Sequence, residues 1–358
     1  MTRRGATVAV ILFNGREHVA ACLEAVKRLE GEVAEILVVD NASTDGGPEW
    51  IGVHHPDVRL VALGANRGPA AARNRALAQS RTARVYLLDC DTVPAADSLR
   101  HLSAELDAHP GTAIAQPRAL FAAAPERIHY DAASFSYTGL LTLHNFGAPA
   151  ASAGREAREV DAVISMALLV DRDRLQAAGP PGEAFDELYF LYFEDTDLSY
   201  RLKLMGGSLR LVPAATVLHR EGTAGVSYRA GGRVSYRRAF LLSRNRWLLL
   251  LKTLEWRTFW LTLPAQLAYE AVLLGFLTVQ GQPHGWLMGK LDLIGRASEI
   301  RARRRATQAV RTVRDGELLG FKGFSFVPGL DGGAAVRLAR RVLDGGFGLY
   351  WKLVRWLV

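Results

Sequence analysis

Apolar residues in the first ninety positions come in short unbroken runs. Residues 7–13 form one, 35–40 a second that ends in Asp40, 58–63 a third and 85–88 a fourth. Runs of this kind are expected of strands buried on both faces, as in parallel sheets. Between them the period changes. Val19, Cys22, Leu23, Val26 and Leu29 fall at helical spacing, residues 48–51 can open a short helix, and 68–80 is Ala-rich and helical. Strands alternating with helices across short turns predict an α/β fold, a mostly parallel Rossmann-like sheet flanked by helices.

Further along, residues 97–107 read as a helix with Leu99, Leu102 and Leu106 on one face, and 114–117 as a strand. Residues 125–154 carry no clear period and are expected to be an irregular, substrate-binding or mobile loop. The apolar run 160–170 reads as a long central strand, and 171–178 turns back. A helix from about Glu194 stops at Gly206-Gly207. Segments 209–213 and 214–219 are strands, the second closing on His219. The pattern then turns helical, and a boundary is expected between residues 1–235 and 236–358. Residues 256–279 are nearly continuously apolar, long enough to span about 30 Å of hydrocarbon. Pro264, Gln266 and Glu270 interrupt them, and a charge at mid-membrane is costly. A helix packed on the protein or lying in the membrane interface is therefore preferred to a span.

Charge changes this picture. The net charge of +8 sits entirely in residues 280–358, where 14 Lys/Arg face 6 Asp/Glu. Arg301, Arg303, Arg304 and Arg305 cluster in a basic helix, and 336–358 mixes aliphatic and aromatic residues with arginines. Two readings stand: a surface for anionic lipid, or helices docked on the protein with solvated arginines. Nucleic acid is not expected as a partner, because no reading module accompanies the basic tail. Two cysteines, Cys22 and Cys90, make no disulfide framework, so a reducing, cytoplasmic setting is expected. The run 7–13 is too short for a signal-peptide core.

Candidate chemistry gathers at the ends of the early strands, where such sheets bind ligands. That edge presents Asn14, Asp40, Asn41, Asn66, Arg67, Asp89 and Asp91, with Arg73, Asn74 and Arg75 in reach of phosphate. Asp89 and Asp91 stand one residue apart. In extended backbone they share a side and suit a divalent cation that also holds phosphate oxygens, with Cys90 pointing to the core; the other reading is a solvated turn. A second acidic cluster follows an apolar segment at Glu194, Asp195 and Asp197. In a partly dry cleft such a carboxylate can act as a base, whereas Asp197 and Arg201 at i and i+4 can simply pair. His219 is either a structural residue or a ligand for metal or diphosphate. No P-loop, dinucleotide Gly-x-Gly-x-x-Gly fingerprint or zinc-type Cys/His cluster occurs.

These pieces have a familiar order. Val39-Asp40-Asn41-x-Ser43-x-Asp45-Gly46, Asn66-Arg67-Gly68, Ala72-Arg73-Asn74, Leu88-Asp89-x-Asp91, Phe185-Asp186-Glu187, Tyr192-Phe193-Glu194-Asp195-x-Asp197-Leu198 and Val217-x-His219 together resemble a family-2 glycosyltransferase of the GT-A fold, in the rhamnosyltransferase-like branch. The match covers roughly residues 7–250, and Arg244-Asn245 resembles a pair common after the catalytic region. The resemblance implies inverting transfer from a nucleotide-diphosphate sugar; taken with the basic tail, a glycan or lipid-linked acceptor and attachment at the inner face of the cell membrane are expected. Asp40 would contact the base, and Asp89 the ribose or diphosphate. Phe13, Asn14, Asn41 and Ser43 would complete the donor side with Asn66, Gly68, Arg73 and Asn74. Asp91 and His219 would hold Mg²⁺ or Mn²⁺, and Asp195, ahead of Glu194, would be the base. Ser165-Met166 and Gly182-Glu183-Ala184 depart from the family's small residues at the acceptor side. The rival expectations are a non-catalytic sugar-nucleotide or glycan-binding module on the same fold, and a nucleotidyltransferase.

Overall fold

The computed structural model describes residues 3–179, 183–220, 234–324 and 333–358. The apolar runs become β1 (Arg3–Leu12), β2 (Val33–Asp40), β3 (Arg59–Ala62) and β4 (Thr82–Asp89), separated by α1 (Arg16–Val26), α2 (Gly47–His54) and α3 (Gly68–Gln79). A short β5 (Thr92–Pro94) follows the acidic turn, then α4 (Ser98–Ala108) and β6 (Thr112–Phe121).

Residues 125–154, expected to be irregular, instead hold most of β7 (Ala124–Tyr130), and β8 (Ala132–Phe135) paired with β9 (Leu141–His144). Ala and Ser dominate β8, so it gave no hydrophobic signal; cross-strand pairing, not intrinsic preference, makes it a strand. After β10 (Arg158–Glu159) comes a second correction. Of the run 160–170, only its end lies in a strand, β11 (Ala167–Asp171). Upstream, the Val163 N–H donates to Ser199 Oγ (3.2 Å) and the Ile164 N–H to Gln116 Oε1 (2.8 Å). Side chains thus satisfy buried backbone that no strand partner serves. The chain continues through α5 (Arg172–Ala177) and α6 (Glu194–Leu204) to β12 (Ser208–His219). β12 is one strand, with its register broken between Val212 and Thr216 around Pro213, which has no N–H to give the ladder.

The sheet order is β10-β12-β6-β11-β4-β1-β2-β3, with β5 on β12 and β7 on β6. β1 to β4 are parallel, β11 inserts antiparallel between β4 and β6, and β6 and β12 are parallel. The carboxyl ends of β12, β6, β4, β1 and β2 therefore point to one edge. Register aligns Ile11 with Asp89 and Leu12 with Asp40.

Residues 234–358 form α7 (Tyr236–Thr253), α8 (Trp256–Val279), α9 (Pro283–Gly295), α10 (Ala297–Ala309), α11 (Asp315–Leu318) and α12 (Ala334–Val354). α9 lies close on α7 because Gly289 has no side chain; a Cβ there would come 2.8 Å from the Phe240 carbonyl. Among the described residues α8 alone is long and apolar enough to cross a membrane. Its interruptions are used by the protein: Arg246 of α7 donates to Gln266 Oε1 (2.6 Å) and Glu270 Oε1 (2.9 Å), and Lys290 reaches Glu270 Oε2 (2.8 Å). Half of the basic cluster also serves the protein. Arg303 pairs with Asp186 (3.0 Å), and Arg304 donates to the Leu251 carbonyl (2.7 Å).

Candidate active site

At the sheet edge, side chains first hold one another. Asn14, at φ 47°, donates its N–H to Ser43 Oγ (3.0 Å) and accepts from the Thr44 N–H (2.8 Å). Asp40 Oδ1 accepts from the Ser43 N–H (3.0 Å). Asn41 accepts from the Arg67 N–H (2.9 Å) and donates to Asn66 Oδ1 (2.9 Å). The loops after β1, β2 and β3 are thus tied together before any ligand is considered.

The next loop carries the acids. β4 ends at Asp89 and the chain turns at Cys90 and Asp91 before β5, so the two acids do not share one extended strand. Both carboxylates nevertheless line one cleft of ≈ 520 Å³. Cys90 packs in the core beneath Gly15, as expected of a small apolar filler, and its edge also reaches the cleft. Asp91 Oδ2 lies 3.4 Å from His219 Nε2, and its Oδ1 is buried with no hydrogen-bond partner among the described residues. Burial pushes Asp91 toward protonation, but the hydrogen bond and charge of His219, with His18 behind, bring its pKa below the usual value. Burial raises Asp89, with Asp91 adding to the rise and Arg73 opposing it.

Arg73, expected to reach phosphate, is 2% exposed and joins the two acidic clusters. One Nη donates to Asp89 Oδ1 (2.6 Å) and the other to Glu194 Oε1 (3.4 Å). Glu194 Oε2 is buried without a hydrogen-bond partner among the described residues. Burial pushes the Glu194 carboxyl well up, and the neighbouring Asp195 charge adds to it. Asp195 is raised by burial and held back by the N–H groups of Thr196 and Ser165 and by Arg73.

Glu194 and Asp195 reach this position through an unusual turn. Phe190, Tyr192 and Phe193 all have positive φ (63°, 66° and 71°), which for such residues costs on the order of 1 kcal/mol each. Asn245 of α7 holds the turn: its amide donates to the carbonyls of Tyr189 (3.0 Å), Leu191 (2.8 Å) and Tyr192 (2.8 Å). Arg244 holds Leu188 and Tyr189 and bonds Asn245 Oδ1 (2.8 Å). Gly68, at φ +85°, faces the Phe190 carbonyl so closely that any Cβ would collide with it.

The cleft is lined by Phe13, Asn41, Asn66, Arg73 and Asp89 on the expected donor side, by Asp91 and His219, and by Glu194 and Asp195. Asn14, Asp40, Ser43, Gly68 and Asn74 are not among its lining residues. Asn74 is a brace: its amide donates to the Phe185 carbonyl (2.7 Å) and its Oδ1 accepts from the Phe185 N–H (2.9 Å). Ser165 and Met166 do line the cleft, while Glu183 pairs with Arg303 (2.5 Å); Gly182 lies outside the described residues. Sequence reasoning missed His129. Its ring lies 4.7 Å from that of His219 and edge-on to Phe121, and its only signal was a His in a weakly patterned strand. Leu141, Leu143 and Leu242 add an apolar wall that no motif announced.

Residues 84–320 match the Glycosyl transferase family group 2 model, and residues 7–147 match Glycosyl transferase family 2. The chain belongs to glycosyltransferase family 2. It is 29% identical over 235 residues to the N-acetylglucosaminyl-diphospho-decaprenol L-rhamnosyltransferase of Mycobacterium tuberculosis (strain H37Rv), covering 60% of this chain and 75% of that protein. It is 34% identical over 103 residues to the succinoglycan biosynthesis protein ExoO of Rhizobium meliloti, covering 28% of this chain but only 30% of that one. Among solved structures, GalNAc-T7 with UDP, GalNAc and Mn²⁺ superposes at a TM-score of 0.57 and 15% identity, over 82% of this chain and 57% of that one. S. aureus TarS 1-349 with UDP-GlcNAc does so at 0.51 and 16%, over 90% and 95%. These likenesses establish a GT-A-like fold, the α/β architecture expected. In this transferase no group of three or more His, Cys, Asp or Glu among the described residues is arranged to hold a metal by itself.

Proposed function

We propose that the protein transfers a sugar, with inversion, from a nucleoside diphosphate sugar to a hydroxyl of a glycan or lipid-linked acceptor, in surface-polysaccharide assembly. The observation that carries this is a single cleft with buried, under-partnered carboxylates on two walls. Among the described residues Asp91 Oδ1 and Glu194 Oε2 have no hydrogen-bond partner, and Asp195 stands beside Glu194. The names of the relatives support the direction: one acts in succinoglycan biosynthesis, another is an L-rhamnosyltransferase of N-acetylglucosaminyl-diphospho-decaprenol, a lipid-linked sugar. A carrier of that kind would place the work at the cytoplasmic face of a membrane.

Asp91 and His219 would hold Mg²⁺ or Mn²⁺. Two protein ligands suit an ion whose remaining places are filled by diphosphate oxygens and water, and the orphaned Asp91 oxygen fits that use. When bound, the ion offsets the charge that grows on the departing diphosphate. Asp195 takes the proton of the acceptor hydroxyl as its oxygen bonds to the anomeric carbon. The bond from that carbon to the diphosphate breaks, and its electron pair leaves with the nucleotide. Of the two acids Asp195 is the better base. Two backbone N–H groups favour its charged form, while burial raises its pKa toward working pH. Arg73 steadies Asp89 and Glu194 and so spaces the donor and acceptor walls.

The test is a thermal-shift panel of nucleotide sugars with Mn²⁺, followed by transfer assays. One donor should raise Tm, and Asp91→Ala should remove that rise. A flat response to every donor would sink the reading, and pyrophosphate release from a nucleoside triphosphate would point to nucleotidyl transfer instead.

A further inference from the structure

α12 has two apolar faces. One is the ordinary kind: Phe347 and Trp351 are buried in the core, Trp351 stacked on Tyr137 at 4.9 Å, with Tyr350 donating to the Leu261 carbonyl of α8 (2.6 Å). The other faces solvent. Leu338, Val342, Leu349 and Leu353 recur at helical spacing on one stripe, which Trp356 extends in the 3-10 turn 355–357 that follows; Leu353 and Trp356 are 67% and 77% exposed. The stripe continues onto α8 across a shallow groove of ≈ 290 Å³ between Pro264 and Ala268 on one side and Val342 and Gly346 on the other. Trp260 and Leu267, within a turn of Pro264, are also exposed. Continuous apolar surface of this extent is uncommon on soluble proteins and marks a binding face.

Charge says what covers it. Arg341, Lys352 and Arg355 are exposed along one flank of the α12 stripe, in the segment that carries the chain's whole net charge of +8. A second protein copy would bring the same cations against themselves. An anionic bilayer offers both a hydrocarbon boundary for the stripe and phosphates for the flank, with Trp356 and Trp260 suited to the headgroup depth. We propose that the exposed stripe of α12 and the adjoining flank of α8 form a docking surface for an anionic phospholipid bilayer. The helices lie in the interface, with the buried Glu270–Arg246 pair kept on the protein side.

The test uses the full chain and vesicles of phosphatidylcholine alone or mixed equally with phosphatidylglycerol, read by flotation. Binding needs no sugar donor, so its outcome is separate from that of the transfer assay. The chain should float with the anionic vesicles and much less with the neutral ones. The double change Leu353→Glu and Trp356→Glu should abolish flotation with no loss of Tm, since both side chains are exposed. Arg341→Glu with Lys352→Glu should weaken binding roughly tenfold or more. Failure of the intact chain to float, or equal flotation of the stripe variant, overturns the proposal. So does a concentration-dependent dimer that the stripe variant disperses without any vesicle binding.

Discussion

One helix, α6, carries acids with opposite fates. Asp197 is fully buried and fully met: Lys252 lies 2.5 Å from it, Arg201 2.7 Å, and the Tyr189 hydroxyl donates to it at 3.1 Å. Its neighbour Asp186 is held by Lys252 (2.5 Å) and Arg303 (3.0 Å), which outweigh burial and bring its pKa down to about 2. Less than one turn before Asp197, Glu194 is buried and Asp195 half-buried at the cleft; both share Arg73 with Asp89 and are pushed up. Burial is common to both clusters; what separates site from scaffold is unmet demand. A buried acid with every oxygen engaged fixes a helix, and one left short is available for substrate.

The contrast can be broken first at Asp195. Asp195→Asn should cost about 10²–10⁴-fold in turnover with donor affinity and Tm nearly unchanged, measured by single-turnover transfer and nucleotide titration. On the paired side, Lys252→Met should do the reverse. Stranding Asp186 and Asp197 should cost about 3–5 kcal/mol of stability by denaturant titration, whereas Asp195→Asn in the cleft, whose charged form burial disfavours, should cost almost none. A smaller effect is set by pH. Because the folded pKa of Asp186 is depressed to about 2, its contribution is full above the unfolded value near 3.8 and lost as pH falls through 2. Asp186→Asn should remove ~2 kcal/mol of stability at neutral pH and flatten the acid limb between those values. Smallest is Glu194→Gln. A raised folded pKa makes the charged form a cost once pH exceeds the unfolded value, so the neutral amide should raise Tm by about 2–4 °C at pH 7 and nothing at pH 4. A fall in Tm at pH 7 would place Glu194 with the paired acids.

Asp197–Arg201 was legible because i and i+4 face each other on any helix. The four early strands and the Asp89–Asp91 turn were legible because runs and strand ends are local. Lys252 gave no sign of its two acid partners, since a lysine amid leucines is indistinguishable in sequence from one that reaches solvent. Arg73 and Asn74 sat in the motif, yet one bridges acids and the other braces Phe185, a division that only the packing of α3 imposes. The Arg244-Asn245 pair was visible without its purpose, which depends on a turn of positive φ more than fifty residues earlier.

The sequence by itself determined the α/β order of elements, the acids at the strand ends and the basic tail, because hydrophobic period, turn residues and charge are properties of neighbouring positions. Tertiary structure decided which acids stay short of partners, which arginines are spent inside, and that α12 keeps an apolar stripe after burying the opposite face. Those outcomes depend on which distant groups arrive within 3–4 Å of one another, and no local pattern encodes that distance.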